Sequence, residues 1–108
     1  MSKTVIVTGG SRGLGQLIVE SFLDRGCNVA TLSRSATPFI ENMEAERSDQ
    51  FFYAPVDLSD REATASYVKE VDERFGTIDV LVNNAGVARD GVLALESDQE
   101  ADLMVDVN

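Results

Sequence analysis

The residues with the clearest chemical purpose are Thr8-Gly9-Gly10-Ser11-Arg12-Gly13-Leu14-Gly15, directly after the apolar run Val5-Ile6-Val7. A short apolar run of this kind reads as a buried strand. The spacing of Leu14, Leu17, Ile18, Ser21 and Phe22 along one face reads as a helix. A glycine-rich turn between strand and helix aims backbone N–H groups at one spot, where the helix dipole also favours negative charge. Phosphate of a nucleotide cofactor is the natural occupant. Gly9 permits a sharp exit from the strand, Gly13 lets the backbone approach a diphosphate, and Gly15 lets helix and sheet pack closely. The turn lacks the Gly-Lys-Ser/Thr ending with which a triphosphate-hydrolysing loop holds nucleotide and magnesium. No metal site is expected.

Positioning that turn requires a sheet. Val5–Val7, Val29–Leu32, Phe51–Val56 and Ile78–Val82 read as strands, mostly continuous rather than alternating, as suits strands covered on both faces. The first helix is expected to end near Arg25-Gly26. Thr64, Tyr67, Val68, Val71 and Phe75 repeat the helical spacing and stop at Gly76. A weaker helix covers Phe39 to Glu46 after Pro38. Ser59-Asp60-Arg61-Glu62 and Ser97-Asp98-Gln99-Glu100 both fit the capping box and predict helix starts. The order β-α-β-α-β-α-β-α implies a Rossmann-like α/β fold, a doubly wound parallel sheet with helices on both faces. Ligands of such sheets sit beyond the carboxyl ends of the strands, near the reversal of strand order. The polar and glycine signals fall at those ends: Thr8–Gly15, Ser33-Arg34, Asp57-Leu58 and Asn83–Gly86.

The chain of 108 residues has room for one domain, 1–108. Its net charge of −10 argues against a nucleic-acid partner, whose phosphates need a basic face. Apolar stretches run only three or four residues, too short to span a membrane. The N-terminus enters a strand within four residues, so a secretory signal is not expected. The single cysteine, Cys27, cannot form an internal disulfide and reads as a small buried apolar residue. A reducing, cytoplasmic setting fits these features.

Thr8–Gly15 joined with Asn83-Asn84-Ala85-Gly86 resembles the short-chain dehydrogenase/reductase family, specifically its classical branch. Asn108, after Val107, falls 25 positions beyond Asn83, where that family carries its catalytic asparagine on the fourth helix. The resemblance covers essentially the whole chain. It implies that Gly9, Gly10, Ser11, Arg12, Gly13, Leu14 and Gly15 surround the cofactor diphosphate and adenosine ribose. Asp57 would bond the adenine amino group, with the Leu58 backbone close by. Asn83, Ala85 and Gly86 would pass beside the cofactor ribose, and Asn84 would help fix the central sheet. Asn108 would hold a water in a proton relay.

NAD-selective sites place an acid at the end of the second strand to bind the ribose 2′-OH. Here Ser33 takes that position and Arg34 follows. Arg34 and Arg12 are both placed to meet a 2′-phosphate, which a guanidinium grips in a planar fork. The expected cofactor is NADP(H).

The resemblance also implies a serine and a Tyr-x-x-x-Lys motif for proton transfer. A tyrosine works as an acid at neutral pH only when positive charge lowers its pKa. Tyr53 is followed four residues on by Asp57, and Tyr67 by Val71, so neither fits. The family order places those groups beyond Asn108, and the fold is expected to be incomplete at its C-terminal end. Ile78–Val82 would then carry an unpaired edge, and the polypeptide alone is expected to be inactive. The remainder of the reductase is its implied partner, in a dimer or tetramer. Val87-Ala88-Arg89-Asp90 looks like the corresponding segment of 3-oxoacyl and acetoacetyl-CoA reductases, which points to 3-oxoacyl thioesters as substrates. The alternative is a non-enzymatic NADP(H)-binding sensor or scaffold.

Overall fold

The computed structural model describes residues 2–84 and the backbone of 103–106. The elements are β1 (Thr4–Thr8), α1 (Gly13–Asp24), β2 (Asn28–Ser33), α2 (Pro38–Glu46), β3 (Phe51–Pro55), α3 (Arg61–Phe75), β4 (Val80–Asn83) and β5 (Leu103–Asp106). All pairings are parallel and the order is β3-β2-β1-β4-β5. The chain winds outward from β1 to β3, then returns to place β4 on the other side of β1. Strand order therefore reverses between β1 and β4, the point at which sheets of this kind bind ligands beyond the carboxyl ends.

The continuous apolar strands are buried on both faces, as expected. Val5, Val7, Val29, Phe51, Tyr53 and Val82 pack with Val19 and Leu23 of α1 and with Ile40 and Met43 of α2. On the opposite face Ile6, Ala30, Leu32 and Leu81 pack with Tyr67, Val68 and Val71 of α3. Successive strand residues thus feed two separate cores, which is the side-chain alternation of a strand covered on both sides. Cys27 is partly buried against the α1–α2 core.

Four sequence expectations shift. The buried face of α1 is Gly15, Val19 and Leu23; of the expected face Ile18 and Phe22 pack partly against the core, whereas Leu14 and Leu17 are exposed, Leu17 at 63%. The sheet accepts the face that carries a glycine, because only that face approaches closely. The cap of α3 is Asp60, whose side chain accepts from the Ala63 N–H at 3.0 Å. Ser59 is unavailable for that job: its N–H and hydroxyl both donate to Asp57. Leu103–Asp106, expected in the helix begun at Ser97, is strand β5. Its short apolar run suits either periodicity, and as a strand it continues the ladder. Consequently β4 is paired on both sides, with β1 and β5, rather than left as an edge. The start of the expected fourth helix at Ser97 lies outside the described residues. α2 begins at Pro38 itself, a favoured first helical position.

Candidate nucleotide site

The glycine turn leaves β1 at Gly9, which has φ +68°, a left-handed conformation that favours glycine. The turn is pinned to the sheet. The Gly9 N–H donates to the Leu32 carbonyl at 2.9 Å, and the Gly10 N–H donates to Thr31 Oγ1 at 2.9 Å. Thr31 in turn donates to the Val7 carbonyl at 2.5 Å, so one side chain ties β1, β2 and the turn together. A Cβ on Gly10 would strike Thr31 and Val19, and a Cβ on Gly15 would strike the Gly9 carbonyl and the Asn84 side chain. Around Gly13 there is open space. Arg12 occupies the N-cap position of α1 and no side chain caps the helix. The first-turn N–H groups of α1 therefore have no capping side chain as acceptor. Leu14 stands 51% exposed beside them.

The tip of β2 is joined to this turn by hydroxyl groups. Ser11 Oγ donates to Ser33 Oγ at 3.0 Å, and Ser33 Oγ lies 3.0 Å from both the Ser35 carbonyl and the Tyr53 hydroxyl. Thr37, the N-cap residue of α2, donates its hydroxyl to the Ser11 carbonyl at 2.7 Å instead of capping its own helix. Arg12 lines a cleft of about 710 Å³ between α1 and α2, together with Ser11, Thr37 and Gln16. Arg34 is exposed. Among the described residues the ion pair is Arg47 with Asp24, at 2.7 Å, so Arg12 and Arg34 are not engaged by carboxylates at salt-bridge distance.

Asp57 stands exposed just past β3. Its Oδ1 accepts from the Ser59 N–H at 2.9 Å and from the Ser59 hydroxyl at 2.8 Å. These two bonds, the backbone one first, hold its carboxyl below the ordinary value, and the charge of Arg34 adds a smaller pull. Leu58 packs partly into the α3-side core. Asn83 is buried, and its Oδ1 accepts from the Thr8 hydroxyl at 3.2 Å. The Asn84 N–H donates to Thr8 Oγ1 at 2.8 Å, and the Asn84 amide donates to the Gly9 carbonyl at 3.2 Å. The ends of β1 and β4 are thereby fixed together at the strand-order reversal. Ala85, Gly86 and Asn108 lie outside the described residues, as does Val87–Asp90.

Neither tyrosine is placed as a proton donor. The Tyr67 hydroxyl is buried and donates to the Thr31 carbonyl at 2.6 Å, with the Phe52 carbonyl at 3.0 Å. Burial first, then the charge of Glu70, raises its pKa well above the usual phenol value. Tyr53 is committed to Ser33. Thr31, Thr37 and Tyr53 were not singled out by the sequence as site residues. The available signal was a threonine inside the otherwise apolar run Val29–Leu32.

The arrangement is that of a Rossmann-like nucleotide-binding α/β sheet, with its glycine-rich turn at the reversal of strand order. The family model of the short chain dehydrogenases matches residues 3–108. The chain belongs to that family. It is 37% identical to the 3-oxoacyl-[acyl-carrier-protein] reductase FabG of Staphylococcus aureus over the whole of this chain, which is 45% of that protein's length. The chain thus spans about half the length of the curated relatives it matches. A short-chain dehydrogenase from Streptomyces avermitilis superposes with a TM-score of 0.72 at 34% identity, covering 80% of this chain and 31% of that one. ElxO with NADP bound superposes with a TM-score of 0.67 at 28% identity, covering 92% of this chain and 42% of that one.

Proposed function

We propose that the natural full-length protein is an NADPH-dependent carbonyl reductase acting on 3-oxoacyl thioesters, and that residues 1–108 are its cofactor-binding part. One observation carries the choice of cofactor. Arg12 is the N-cap residue of the uncapped helix α1, Arg34 follows Ser33, whose hydroxyl meets Ser11 of the turn, and Ser33 stands where an NAD-selective site would carry an acid. The glycines of the turn support the same reading. A side chain at Gly10 would strike Thr31 and Val19, one at Gly15 would strike the Gly9 backbone and Asn84, and Gly13 has open space beside it.

In this reading the N–H groups of Gly13, Leu14 and Gly15 hold the diphosphate, and Arg12 and Arg34 hold the 2′-phosphate. Asp57, kept ionised by Ser59, accepts from the adenine amino group. Asn83, Ala85 and Gly86 line the ribose, and Asn108 belongs to the proton relay. The cofactor supplies a hydride to the ketone. The proton for the resulting alkoxide comes from a Ser and Tyr-x-x-x-Lys set that this sequence does not contain, so the 108-residue polypeptide alone is inactive. The similarity to FabG, a 3-oxoacyl-[acyl-carrier-protein] reductase, supports the thioester substrate.

The test follows NADPH oxidation by the full-length protein with acetoacetyl-CoA, beside the 108-residue polypeptide. Turnover by the full-length protein alone is the expected result. Turnover by the 108-residue chain overturns the division of labour. NADPH binding without reduction of any 3-oxoacyl thioester overturns the enzyme reading and selects a cofactor-binding sensor.

A further inference from the structure

We propose that Tyr53 is a positioning residue for the cofactor, acting through Ser33 to fix where Arg34 stands. The proposal rests on the nucleotide reading above. Three neighbouring strands each supply one hydroxyl to a continuous chain: Ser11 after β1, Ser33 at the end of β2, and Tyr53 in β3. Tyr53 meets one residue at two acceptors. Its hydroxyl lies 3.0 Å from Ser33 Oγ and 3.1 Å from the Ser33 carbonyl, so its single hydrogen is shared between them. That carbonyl also accepts from the Val56 N–H at 2.8 Å, so both its lone pairs are used.

The Ser33 side chain is equally committed. Its oxygen accepts from Ser11 and faces the Tyr53 hydroxyl, and its hydrogen is directed to the Ser35 carbonyl. Ser33 therefore has little hydrogen-bonding capacity left for a ligand and serves as an anchor. Four residues on, Thr37 donates to the carbonyl of the same Ser11. Arg34, Ser35 and Ala36 are thus strung between two points, both fastened to the glycine turn. Arg34 hangs from a short, doubly fixed span, and its distance from the turn is set by the Ser33 anchor. The Tyr53 ring is itself buried in the α1–α2 core, which holds the hydroxyl in place.

The Tyr53→Phe substitution keeps the ring and removes the grip. In the full-length protein it should raise the dissociation constant for NADPH about three- to tenfold, the range of one lost hydrogen bond. NADH, which lacks the group that Arg34 addresses, should weaken less than about twofold on the same scale. KM for NADPH should rise with little change in kcat. Ser33→Ala should reproduce the shift, and the double variant should bind NADPH no worse than Ser33→Ala alone, because the two residues act as one unit. Equal weakening of NADPH and NADH, or additive effects in the double variant, would show a merely structural role and overturn the proposal. If Tyr53→Phe binds NADPH as tightly as a binding-competent parent, the positioning role alone falls. If the parent binds neither dinucleotide, the nucleotide reading falls and this proposal with it.

Discussion

The Asn84 side-chain amide reaches from the end of β4 to the Gly9 carbonyl, 3.2 Å away, across 75 positions of sequence. The same carbonyl faces the Cα of Gly15, so three parts of the chain meet at one oxygen. A β-carbon at position 15 would collide with that oxygen and with the Asn84 amide.

Gly15→Ala should therefore destabilise the fold by about 1–3 kcal/mol, the usual cost of forcing extra volume into a packed site. The backbone on both sides of the contact must move, so NADPH affinity should fall as well. Chemical unfolding and a fluorescence titration with NADPH check the two effects. Gly13→Ala is a useful companion: it meets open space but is strained at φ +60°.

Arg34→Asp removes a guanidinium and adds a charge that repels phosphate. A hydrogen bond to a charged group contributes about 1.5–3 kcal/mol. The preference for NADPH over NADH should therefore fall by at least about tenfold. Paired dissociation constants for the two cofactors, measured on the full-length protein, give the ratio. An unchanged ratio would remove Arg34 from the phosphate site.

The Asp57 carboxyl titrates below the ordinary value because the Ser59 N–H and hydroxyl stabilise its charged form. A depressed folded-state pKa means this stabilisation is present above the unfolded value of 3.8 and disappears as pH falls through the folded value. Ser59→Ala removes the hydroxyl and leaves the backbone N–H. The Asp57 titration should then move upward toward 3.8 without reaching it. NMR titration of the carboxyl carbons reads this directly. Because Asp60 caps α3, the helix itself should be unaffected by the Ser59 change, whereas Asp60→Ala should cost about 1 kcal/mol.

Tyr67→Phe should cost about 1–3 kcal/mol of stability, because the Thr31 and Phe52 carbonyls lose their shared donor in a buried place. NADPH affinity should not change, since the hydroxyl lies in the α3-side core. Urea unfolding combined with a binding titration separates the two outcomes.

The strands were readable because Val5–Val7 is wholly apolar and Val29–Leu32 is apolar but for Thr31, and the observed limits extend these runs by only one residue at each end. The turn was readable because glycine at 9, 13 and 15 has few other purposes. The orientation of α1 was misread because Leu14 and Leu17 are as apolar as Val19 and Leu23. Hydrophobicity alone cannot reveal that Gly15 draws the other face inward. Ser59 and Asp60 are both good caps, and only the competing carboxylate of Asp57 decides between them. Leu103–Val105 carries too few residues to separate a period of two from one of 3.6. The hydroxyl chain from Ser11 to Tyr53 depends on strand register, which no local pattern encodes.

β1 is the middle strand of the five, and its apolar side chains are fully enclosed. Whatever docks above Gly9 therefore meets a surface whose shape was fixed at the moment of folding. Little freedom is left to be surrendered on contact, so association should proceed without a preparatory rearrangement of the turn.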